Sequence, residues 1–489
     1  MPRPKTDQNL NAKRTATKLI TTSKRDEQQL KKTLVSVLDK AKSLGASYAE
    51  IRAQKNNNTI INLIDGQIEA VTMASETGAG IRVLANGAWG FSTNNSLKRT
   101  DLEKSIRSAV KMAKAMGKSI REPVKLAEIK PAEDKVKAKL KKDPQEINIS
   151  TKINNLTTIN KACLNFDKRI KSVTVRYADL ATDQTLATTD GTFIEQQKTI
   201  VWNYCWVTGK SKGIMASARD EAGNHGYELY DIDPPEKIAE RVSKKVTQQL
   251  EAKTPKSGEH PAIIGTDIVG VLAHEALGHI CEADLTLAGS ALMGKLGQKI
   301  ASEKVTIHDT ALLKEGFGAI KYDDEGVQGQ KTTLIKKGVL VGLMHNRETA
   351  AKMNMKPTGN ARAQDFRVPP IIRMRNTYFE QGNYSFKELM EDIEFGYYLE
   401  AFRGGQANLD GTFTVGVQSA FEIVKGKLGQ PVRNIGISGN TLETLRQVDA
   451  CGRDFGLEMG RCGKGQMMFI SSGGPPVRVK KMLIGGTEK

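Results

Sequence analysis

The stretch VLAHEALGHICEAD, residues 271–284, contains two histidines and a glutamate whose spacing could serve a metal ion. His274 and Glu275 are followed by His279, so the histidines are one residue further apart than in the HExxH pattern of zinc proteases. On a regular helix, side chains five residues apart point about 140° away from each other. Glycine tolerates unusual backbone angles, and one inserted residue makes a π-bulge. The pattern therefore predicts an irregular helix near Gly278 that brings both imidazoles to one ion.

The chemistry of such a site follows from its ligands. Two neutral imidazoles and a third protein ligand would hold Zn²⁺ and leave one position open, as in catalytic zinc sites. Glu275, beside the first histidine, could take a proton from water there and pass it to a leaving amine. The alternative is that two unrelated histidines share a helix, because a bare HExxxH motif is weaker than HExxH.

Several residues are candidates for the third metal ligand. Zinc accepts sulfur readily, and Cys462 lies in MGRCGKGQ (459–466), whose glycines would let a thiolate approach closely. Cys451, in DACGRD, is its rival, although a lone cysteine is more often a small buried hydrophobic residue. The other candidates are Glu282, Cys281, His308 and His260.

Composition bounds the class of protein. The 489 residues are 39% hydrophobic and 26% charged, which suits a globular protein of several domains. Five scattered cysteines argue against a disulfide framework and predict a reducing, cytoplasmic location. We find no apolar run long enough to span a bilayer and no apolar core of a secretory signal, so we expect no membrane association.

The net charge of +18 raises the question of nucleic-acid binding. The lysines are spread along the chain, aromatic residues make up only 5%, and no zinc finger, RRM or helix-turn-helix pattern is present. A solvated, lysine-rich surface is therefore favoured, with steering of acidic peptides as a further role for the charge.

The order of elements predicts an α+β fold whose first part repeats. Residues 1–27 form a basic segment that we expect to be disordered. The unit 28–118 begins with a helix at 28–44 and ends with one that Thr100 and Glu103 would cap and Gly117 would end. Between them, strands are predicted at 47–54, 59–64, 67–73, 79–85 and 88–94, with turns at Asn56-Asn57-Asn58, Asp65-Gly66 and Asn86-Gly87.

A Lys-, Glu- and Pro-rich linker, 119–147, separates this unit from a second one, 148–253, with a similar order. A helix near 149–165 precedes the strands, and a second helix follows Pro234-Pro235. Two helix–sheet–helix units from a duplication are thus predicted, with chance resemblance as the alternative. The strands of the second unit are expected at 172–178, 183–188, 192–199 and 200–208.

The last part of the chain, 258–489, changes character. One helix, about 265–283, carries the histidine motif, and most of the rest has the strand-and-turn texture of an antiparallel sheet. We therefore predict a mainly antiparallel β C-terminal domain that carries the metal-site helix.

Three stretches together resemble the TldD/PmbA family of zinc metalloproteases, specifically its TldD branch. They are HEALGHICEAD, GNARAQDFRVPPIIRMRNTY (359–378), and GGQANLDGTF (404–413) followed by GRCGKGQ (460–466). The resemblance implies that the cysteine of the Gly-x-Cys-Gly loop joins the two histidines. It thereby assigns the metal to His274, His279 and Cys462, and the catalytic role to Glu275. One departure is Arg403, where another glycine is expected before the glycine pair.

The resemblance also implies how such a protein works. Members form dimers, often a TldD–TldE heterodimer, that enclose a chamber and admit unfolded peptides as extended strands. The PmbA or TldE branch lacks the metal motif, so the intact motif here favours the metal-binding branch.

The arginine-rich stretch has two interpretations. Its arginines could bind a peptide carboxylate or polarise the scissile carbonyl, or they could pair with acids across a sheet, and this structural role is favoured. Tyr378 could donate to an oxyanion. The arginines are Arg362, Arg367, Arg373 and Arg375.

The function predicted is a zinc-dependent peptidase that hydrolyses unfolded or extended peptides within a dimeric chamber. One alternative is a non-catalytic, peptide-binding chamber subunit. The other is a basic, nucleic-acid-associated protein, whose binding would collapse at modest salt.

Overall fold

The computed structural model describes residues 24–486. Its helices are α1 (Lys24–Ser43), α2 (Arg99–Met116), α3 (Ile149–Phe166), α4 (Leu229–Ile232), α5 (Pro235–Glu251), α6 (Thr266–Val271), α7 (Ala283–Leu287), α8 (Arg347–Lys352), α9 (Phe386–Met390) and α10 (Thr441–Arg446). Between α6 and α7 lie a π-helical segment (Leu272–Gly278) and a 3₁₀ turn (His279–Cys281).

The strands of the first two units are β1 (Tyr48–Ile64), β2 (Gln67–Ala85), β3 (Ala88–Asn94), β4 (Glu133–Val136), β5 (Ile170–Thr188), β6 (Phe193–Ser211) and β7 (Ile214–Asn224). Those of the C-terminal part are β8 (Gly258–Ile264), β9 (Ile307–Thr310), β10 (Lys331–Lys336), β11 (Val339–Leu340), β12 (Ala361–Arg362), β13 (Ile371–Ile372), β14 (Asn376–Phe379), β15 (Phe395–Ala407), β16 (Thr412–Val424), β17 (Lys427–Val432), β18 (Ile435–Asn440), β19 (Val448–Cys451), β20 (Gly456–Gly463), β21 (Met467–Gly474) and β22 (Val477–Gly486).

The two N-terminal units share one seven-stranded sheet. Each unit runs helix, three strands, helix: α1, β1 to β3 and α2, then α3, β5 to β7 and α5. The units meet where β1 pairs with β5 in antiparallel fashion, so the order across the sheet is β3-β2-β1-β5-β6, and β4 and β7 share the far edge of β6. The predicted helix–sheet–helix units are confirmed, and they form a single continuous sheet.

The two faces of this sheet differ in chemistry because side chains alternate along a strand. Along β1, Ile51, Ala53 and Ile61 point toward the helices and belong to the buried cores beneath them. The residues that alternate with them are mostly polar, and Arg82 of β2 on that face reaches Glu325 of the C-terminal part at 2.6 Å. The helices therefore cover the apolar face, and the C-terminal domain covers the polar one.

The strands are longer than the sequence pattern indicated. Asn56-Asn57-Asn58 was predicted to be a turn, but these residues lie inside the continuous strand β1. Likewise, 67–73 and 79–85 join as β2, 172–178 and 183–188 as β5, and 192–199 and 200–208 as β6. Asparagine suits this strand because the polar face supplies partners: Thr182 Oγ1 donates to Asn56 Oδ1 at 2.8 Å. The predicted turns at Asp65-Gly66 and Asn86-Gly87 are confirmed, with positive φ at all four residues.

Three local predictions need correction. Thr100 does not cap α2, which begins at Arg99; its expected partner Glu103 instead accepts from Arg99 Nε at 2.8 Å. The predicted linker 119–147 contains β4, which pairs in parallel with β6. Helix α1 begins at Lys24, so the end of the predicted basic tail is helical, and the rest of that prediction lies outside the described residues.

The C-terminal part is mainly antiparallel β, as predicted. One sheet runs β15-β8-β22-β18-β16-β17, and pairing between β15 and β16 closes it on itself. A second sheet runs β11-β10-β9-β14-β21-β20. The apolar side of α6 and the π-helical segment is buried in the largest core, formed with residues from both sheets. The histidine motif is thus held rigidly in the middle of the domain. Among residues 24–486, no helix is both long and apolar enough to cross a membrane.

Candidate metal centre

The histidine motif lies on a helix whose hydrogen bonding changes at the motif itself. Residues Leu272–Gly278 are π-helical, and the N–H of His279 donates to the carbonyl of His274, five residues back. A π-helical turn closes over five residues where an α-helical turn closes over four. The two imidazoles therefore come to one side, with ring centroids 5.3 Å apart. The predicted irregularity is confirmed.

Gly278 contributes differently from what the sequence suggested. Its backbone angles, φ −57° and ψ −48°, are those of an ordinary right-handed helix, so no unusual backbone conformation requires glycine here. A Cβ at this position would lie 2.0 Å from Sδ of Met374 and 3.1 Å from the carbonyl of Ala273. Gly278 therefore leaves room for Met374, in the segment before β14, to pack directly against the helix.

Four side chains converge beside this helix. The ligand atoms of His274, Glu275, His279 and Cys462 all lie within 4.8 Å of one another. His279 Nε2 is 3.1 Å from Sγ of Cys462, and Glu275 carboxylate oxygens lie 3.5 Å from His279 Nε2 and 3.9 Å from His274 Nε2. The tertiary fold brings Cys462 to histidines that are distant in the sequence.

A tight hairpin presents Cys462. Strands β20 and β21 pair in antiparallel fashion, with Cys462 opposite Met468, and Gly465 takes positive φ in the turn. Arg373 fixes this hairpin, because its guanidinium donates to the carbonyls of Cys462 at 2.8 Å and Gln466 at 2.6 Å. The backbone that carries the Cys462 thiol is therefore fixed in position by Arg373.

A pair of salt bridges also connects the β20–β21 hairpin to the segment that follows the histidine motif. Lys464 Nζ lies 3.0 Å from Glu282 and 2.7 Å from Asp284. Glu282 is fully buried and its carboxylate lies 3.2 Å from Nδ1 of His279. Carboxylates that bind the outer nitrogen of a ligating histidine fix its ring orientation. Glu282 thus contacts the far side of His279. The sequence did not single out Lys464, because nothing in the local sequence distinguishes it from the many other lysines.

The electrostatics of the cluster favour a cation. Burial raises the pKa of Cys462, but the nearby His274 and His279 lower it to about 5. Burial also raises the pKa of Glu275, yet the hydrogen bond with His279 and the charge of His274 bring it to about 2. Burial lowers the pKa of His279, whereas Cys462, Glu275 and Glu282 raise it to about 12. Without metal, a proton on His279 balances these anions, and a divalent cation would displace that proton.

The residues present fit a zinc ion. Nitrogen and sulfur donors are ligands that zinc prefers, and three protein ligands with a fourth position open are typical of catalytic zinc sites. His274 is buried, and among residues 24–486 neither of its ring nitrogens has a hydrogen-bond partner by geometry. Buried polar atoms are normally paired. A metal bound between the three side chains would supply the missing partner of one nitrogen.

Domain models of the PmbA/TldA metallopeptidases match this chain in three segments. Domain 1 matches 49–115, the central domain matches 142–250, and the C-terminal domain matches 257–486. The chain belongs to the PmbA/TldD family of metallopeptidases. The helix and the cysteine hairpin both lie within the C-terminal domain of that family.

Relatives agree with this assignment and with the TldD branch. A metalloprotease of Methanothermobacter thermautotrophicus is 37% identical over 444 residues, 90% of this chain and 96% of the relative. A zinc metalloprotease TldD homolog of Saccharolobus solfataricus is 32% identical over 458 residues, covering 92% and 99%. TldE from Thermococcus kodakarensis has the same fold, with a TM-score of 0.75, 21% identity and coverage of 93% and 100%.

In this PmbA/TldD protein, the rival ligands lie in other surroundings. Cys451 Sγ donates to the carbonyl of Lys304, and Cys281 is buried in the main core. His308 Nδ1 lies 3.1 Å from Thr333 Oγ1. The ring of His260 packs against Phe395 and Tyr397. The cluster does not include these residues.

The arginine-rich stretch has mainly structural contacts. Arg375 is fully buried with its Nε 2.8 Å from Asp309. Arg362 donates to the carbonyls of Met374 and Phe469, and Arg367 pairs with Asp365. Arg373 binds the cysteine hairpin as described above. The predicted pairing with an acid across the sheet is confirmed for Arg375. Arg362 and Arg373 bind backbone carbonyls instead of acids, and Arg367 pairs with an acid at the surface.

Two further sequence candidates lie away from the cluster. Tyr378 packs against His308 and Phe455, so its contacts are with side chains other than the metal cluster. Arg403 is exposed on β15, in a stretch where the pairing with β16 shifts register.

Proposed function

We propose that this protein is a zinc-dependent peptidase that hydrolyses unfolded or extended peptides inside a chamber formed by a dimer. In this proposal, His274, His279 and Cys462 bind Zn²⁺, and Glu275 is the catalytic residue. The observation that carries it is the convergence of these four side chains, with their ligand atoms within 4.8 Å.

When bound, zinc acts as a Lewis acid that polarises the scissile carbonyl and lowers the pKa of water. The chain's own residues do the rest. Glu275 is ionised near neutral pH, because its neighbours bring its pKa to about 2. Its side chain is 35% exposed on the open side of the cluster, so a water molecule can reach it. Glu275 accepts a proton from the attacking water and later donates it to the leaving amine.

The shape of the site supports an unfolded substrate. His274 is buried, His279 is mostly buried, and Glu275 alone opens to solvent. A peptide bond must come within hydrogen-bond reach of Glu275 for general-base catalysis. An extended chain can enter such a depression more easily than the surface of a folded domain.

A free strand edge supports the dimer. Strand β2 pairs with β3 only from Ala79 onward, so among the described residues its outer edge over 67–78 is unpaired. Ile68, Val71 and Met73 are exposed there, Met73 to 70%. An apolar, unpaired edge is a template for pairing with another chain. We propose that it meets a second copy or a TldE/PmbA-like subunit.

The organisation and location are part of the same proposal. We propose that 28–118 and 148–253 are two related units, that 119–147 connects them, and that 258–489 is the catalytic domain. The five cysteines carry free thiols, which is consistent with a reducing cytoplasm.

The test compares Glu275→Gln with His274→Ala. Glu275→Gln keeps the shape but cannot accept a proton, so we expect zinc to stay and single-turnover cleavage of an unfolded peptide to fall about 10²–10⁴-fold. His274→Ala should lose both metal and cleavage, because two remaining ligands hold zinc poorly. Metal analysis and cleavage are measured on the same preparations.

Glu380→Gln is the matched control. Glu380 also lies beside a histidine, with His308 Nε2 at 3.4 Å, but outside the cluster. It should retain both zinc and cleavage. Wild-type cleavage by Glu275→Gln would rule out Glu275 as the catalytic residue. Absence of cleavage by zinc-loaded wild-type protein would defeat the peptidase proposal and favour a non-catalytic, peptide-binding chamber subunit.

A further inference from the structure

A cleft of about 890 Å³ lies between the polar face of the N-terminal sheet and the β20–β21 hairpin. None of the four clustered residues lines it, yet it shares a wall with the metal centre. Arg461, Met468 and Phe469 of the hairpin line the cleft, while Cys462 between them belongs to the cluster. Whatever binds in the cleft would therefore lie beside the strand that presents Cys462.

The floor of the cleft is a grid of side chains from β1, β5 and β6. Their registers align the residues in three rows across the strands, and all of them line the cleft. Asn56 and Asn58, two of the three asparagines that were predicted to form a turn, are part of this grid. The rows are Gln54, Gln184 and Gln196; Asn56, Thr182 and Lys198; and Asn58, Leu180 and Ile200.

A chain of hydrogen bonds fixes how the amides are oriented. Burial raises the pKa of Asp324, but the charges of Lys198 and Arg52 outweigh burial, and the pKa lies below its usual value. Asp324 is therefore an ionised carboxylate, which accepts hydrogen bonds and donates none. Gln184 Nε2 therefore donates to Asp324 at 2.9 Å, and Gln54 Nε2 donates to Gln184 Oε1 at 2.7 Å. The carbonyl oxygen of Gln54 is left as an acceptor.

Several buried polar atoms on the floor of the cleft lack a hydrogen-bond partner within the described residues. Gln54 and Gln196 are more than nine-tenths buried. Within residues 24–486, Gln54 Oε1, Asn58 Oδ1 and Gln196 Nε2 have no hydrogen-bond partner. Buried polar groups are normally paired, so such a set is expected where a ligand supplies the partners.

The charge of the cleft is positive. Its two lining carboxylates, Glu76 and Asp365, both pair with Arg367. Besides Arg367, Lys198 and Lys321 line it and pair with Asp324 and Asp134. Five more cations line the cleft, and in the described part of the chain none of these five forms an ion pair with a carboxylate. A ligand with negative groups would therefore be favoured. These five are Lys137, Lys139, Lys314, Arg362 and Arg461.

We propose that this cleft binds an extended, acidic segment of a polypeptide. Side chains two residues apart on β1 repeat at about 6.8 Å, which is also the two-residue repeat of an extended peptide. The unpaired oxygens of Gln54 and Asn58 accept hydrogen bonds, and the unpaired Gln196 Nε2 donates them. A peptide backbone carries donors and acceptors in a regular repeat, whereas a phosphodiester backbone carries acceptors alone, so a polypeptide backbone matches this floor better than a nucleic-acid backbone.

The proposal deepens the function above and rests on it for its role. The acidic segment would belong to the substrate, at a distance from the bond that reaches Glu275. The cleft would thus select which unfolded chains are cleaved, and the β20–β21 hairpin would separate selection from chemistry.

Binding is measured on full-length Glu275→Gln, which should not cleave the probe. The probes are a fluorescein-labelled, glutamate-rich unfolded peptide and its counterpart with glutamine at each glutamate. We expect the acidic peptide to bind about 10-fold more tightly at low salt, and the difference to shrink as salt screens the charges.

A pair of exposed lysines tests the position. Adding Lys137→Gln and Lys139→Gln should weaken binding of the acidic peptide about 5-fold and leave the neutral peptide unchanged. Lys111→Gln with Lys118→Gln makes the same charge change at exposed lysines that do not line the cleft, and should have no effect. Equal affinity for the two peptides, or equal effects of the two pairs, would overturn the proposal. So would single-stranded DNA that displaces the acidic peptide and binds the cleft more tightly.

Cleavage separates this inference from the peptidase proposal. If wild-type protein with zinc cleaves both peptides but the cleft lysines do not matter, the inference fails and the peptidase stands. If the cleft binds the acidic peptide as expected but wild-type protein cleaves neither, the inference stands for a peptide-binding protein and the peptidase fails.

Discussion

Cys462 and Cys451 are both buried cysteines next to glycine in the C-terminal domain, yet their thiols differ in acidity. Burial raises the pKa of both. At Cys462, His274 and His279 outweigh burial and bring the pKa to about 5. At Cys451, burial raises the pKa to about 12, although Lys304 opposes it, and Asp449 adds to the rise.

The comparison shows that local sequence does not decide which cysteine can bind a metal. GRCGKG and DACGRD look alike in their small residues. The difference lies in what faces each sulfur across the fold: two imidazoles for Cys462, and the backbone carbonyl of Lys304 for Cys451. A thiolate is the form that binds metal, so the lower pKa favours Cys462 as a ligand.

The largest expected effect comes from removing one sulfur at a time. Cys462→Ser should reduce bound zinc from about one ion per chain to a small fraction, because a hydroxyl replaces the thiolate and only two imidazoles remain. Peptide cleavage should fall with it. Metal analysis after dialysis, together with a cleavage assay, measures both.

Cys451→Ser and Cys281→Ser are the controls for this change. Both should keep zinc, since neither sulfur belongs to the cluster. A serine at 451 can also keep the hydrogen bond to Lys304. Loss of zinc in Cys451→Ser with retention in Cys462→Ser would reverse the comparison.

A pH titration of the metal-free protein gives a second, sharper contrast. Because the pKa of Cys462 is lowered to about 5, its thiolate should form as pH rises through 5, well below the usual value of 9.0 for a thiol. Because the pKa of Cys451 is raised to about 12, its thiolate should be absent until strongly alkaline pH. Difference absorption of the thiolate between wild type and each serine variant measures this. A Cys462 signal that first rises near pH 9 would contradict it.

The smallest expected effect concerns the packing that supports Cys462. Gly278→Ala would place a methyl group 2.0 Å from Sδ of Met374. Met374 follows Arg373, and Arg373 donates to the backbone of the hairpin that carries Cys462. Overpacking of this kind costs about 1–3 kcal/mol of folding free energy. Denaturant unfolding should show that loss.

Met374→Ala provides the relief test for this change. Combined with Gly278→Ala, it should cost less than the sum of the two single changes, because the added methyl would occupy part of the space left by the side chain. Strictly additive effects would mean that the contact with Met374 does not explain the glycine.

The sequence by itself determined the elements with strong periodic patterns. The helix at 28–44 and the helix after Pro234-Pro235 are present because apolar residues at helical spacing have a core to face. The five-residue spacing of His274 and His279 was sufficient to predict a distorted helix, because a regular one cannot bring both rings together. The resemblance to TldD proteins predicted Cys462 as the third metal ligand from the sequence alone.

Only the tertiary structure decided the rest. Asn56-Asn57-Asn58 has the composition of a turn, but pairing with the neighbouring strand β5 keeps these residues in β1, where Thr182 donates to Asn56. Lys464 is one lysine among many until Glu282 and Asp284 come within reach. Contacts between residues far apart in the chain also set the acidity of Cys462. Local sequence carries propensity and spacing, whereas burial and charged neighbours are properties of the completed fold.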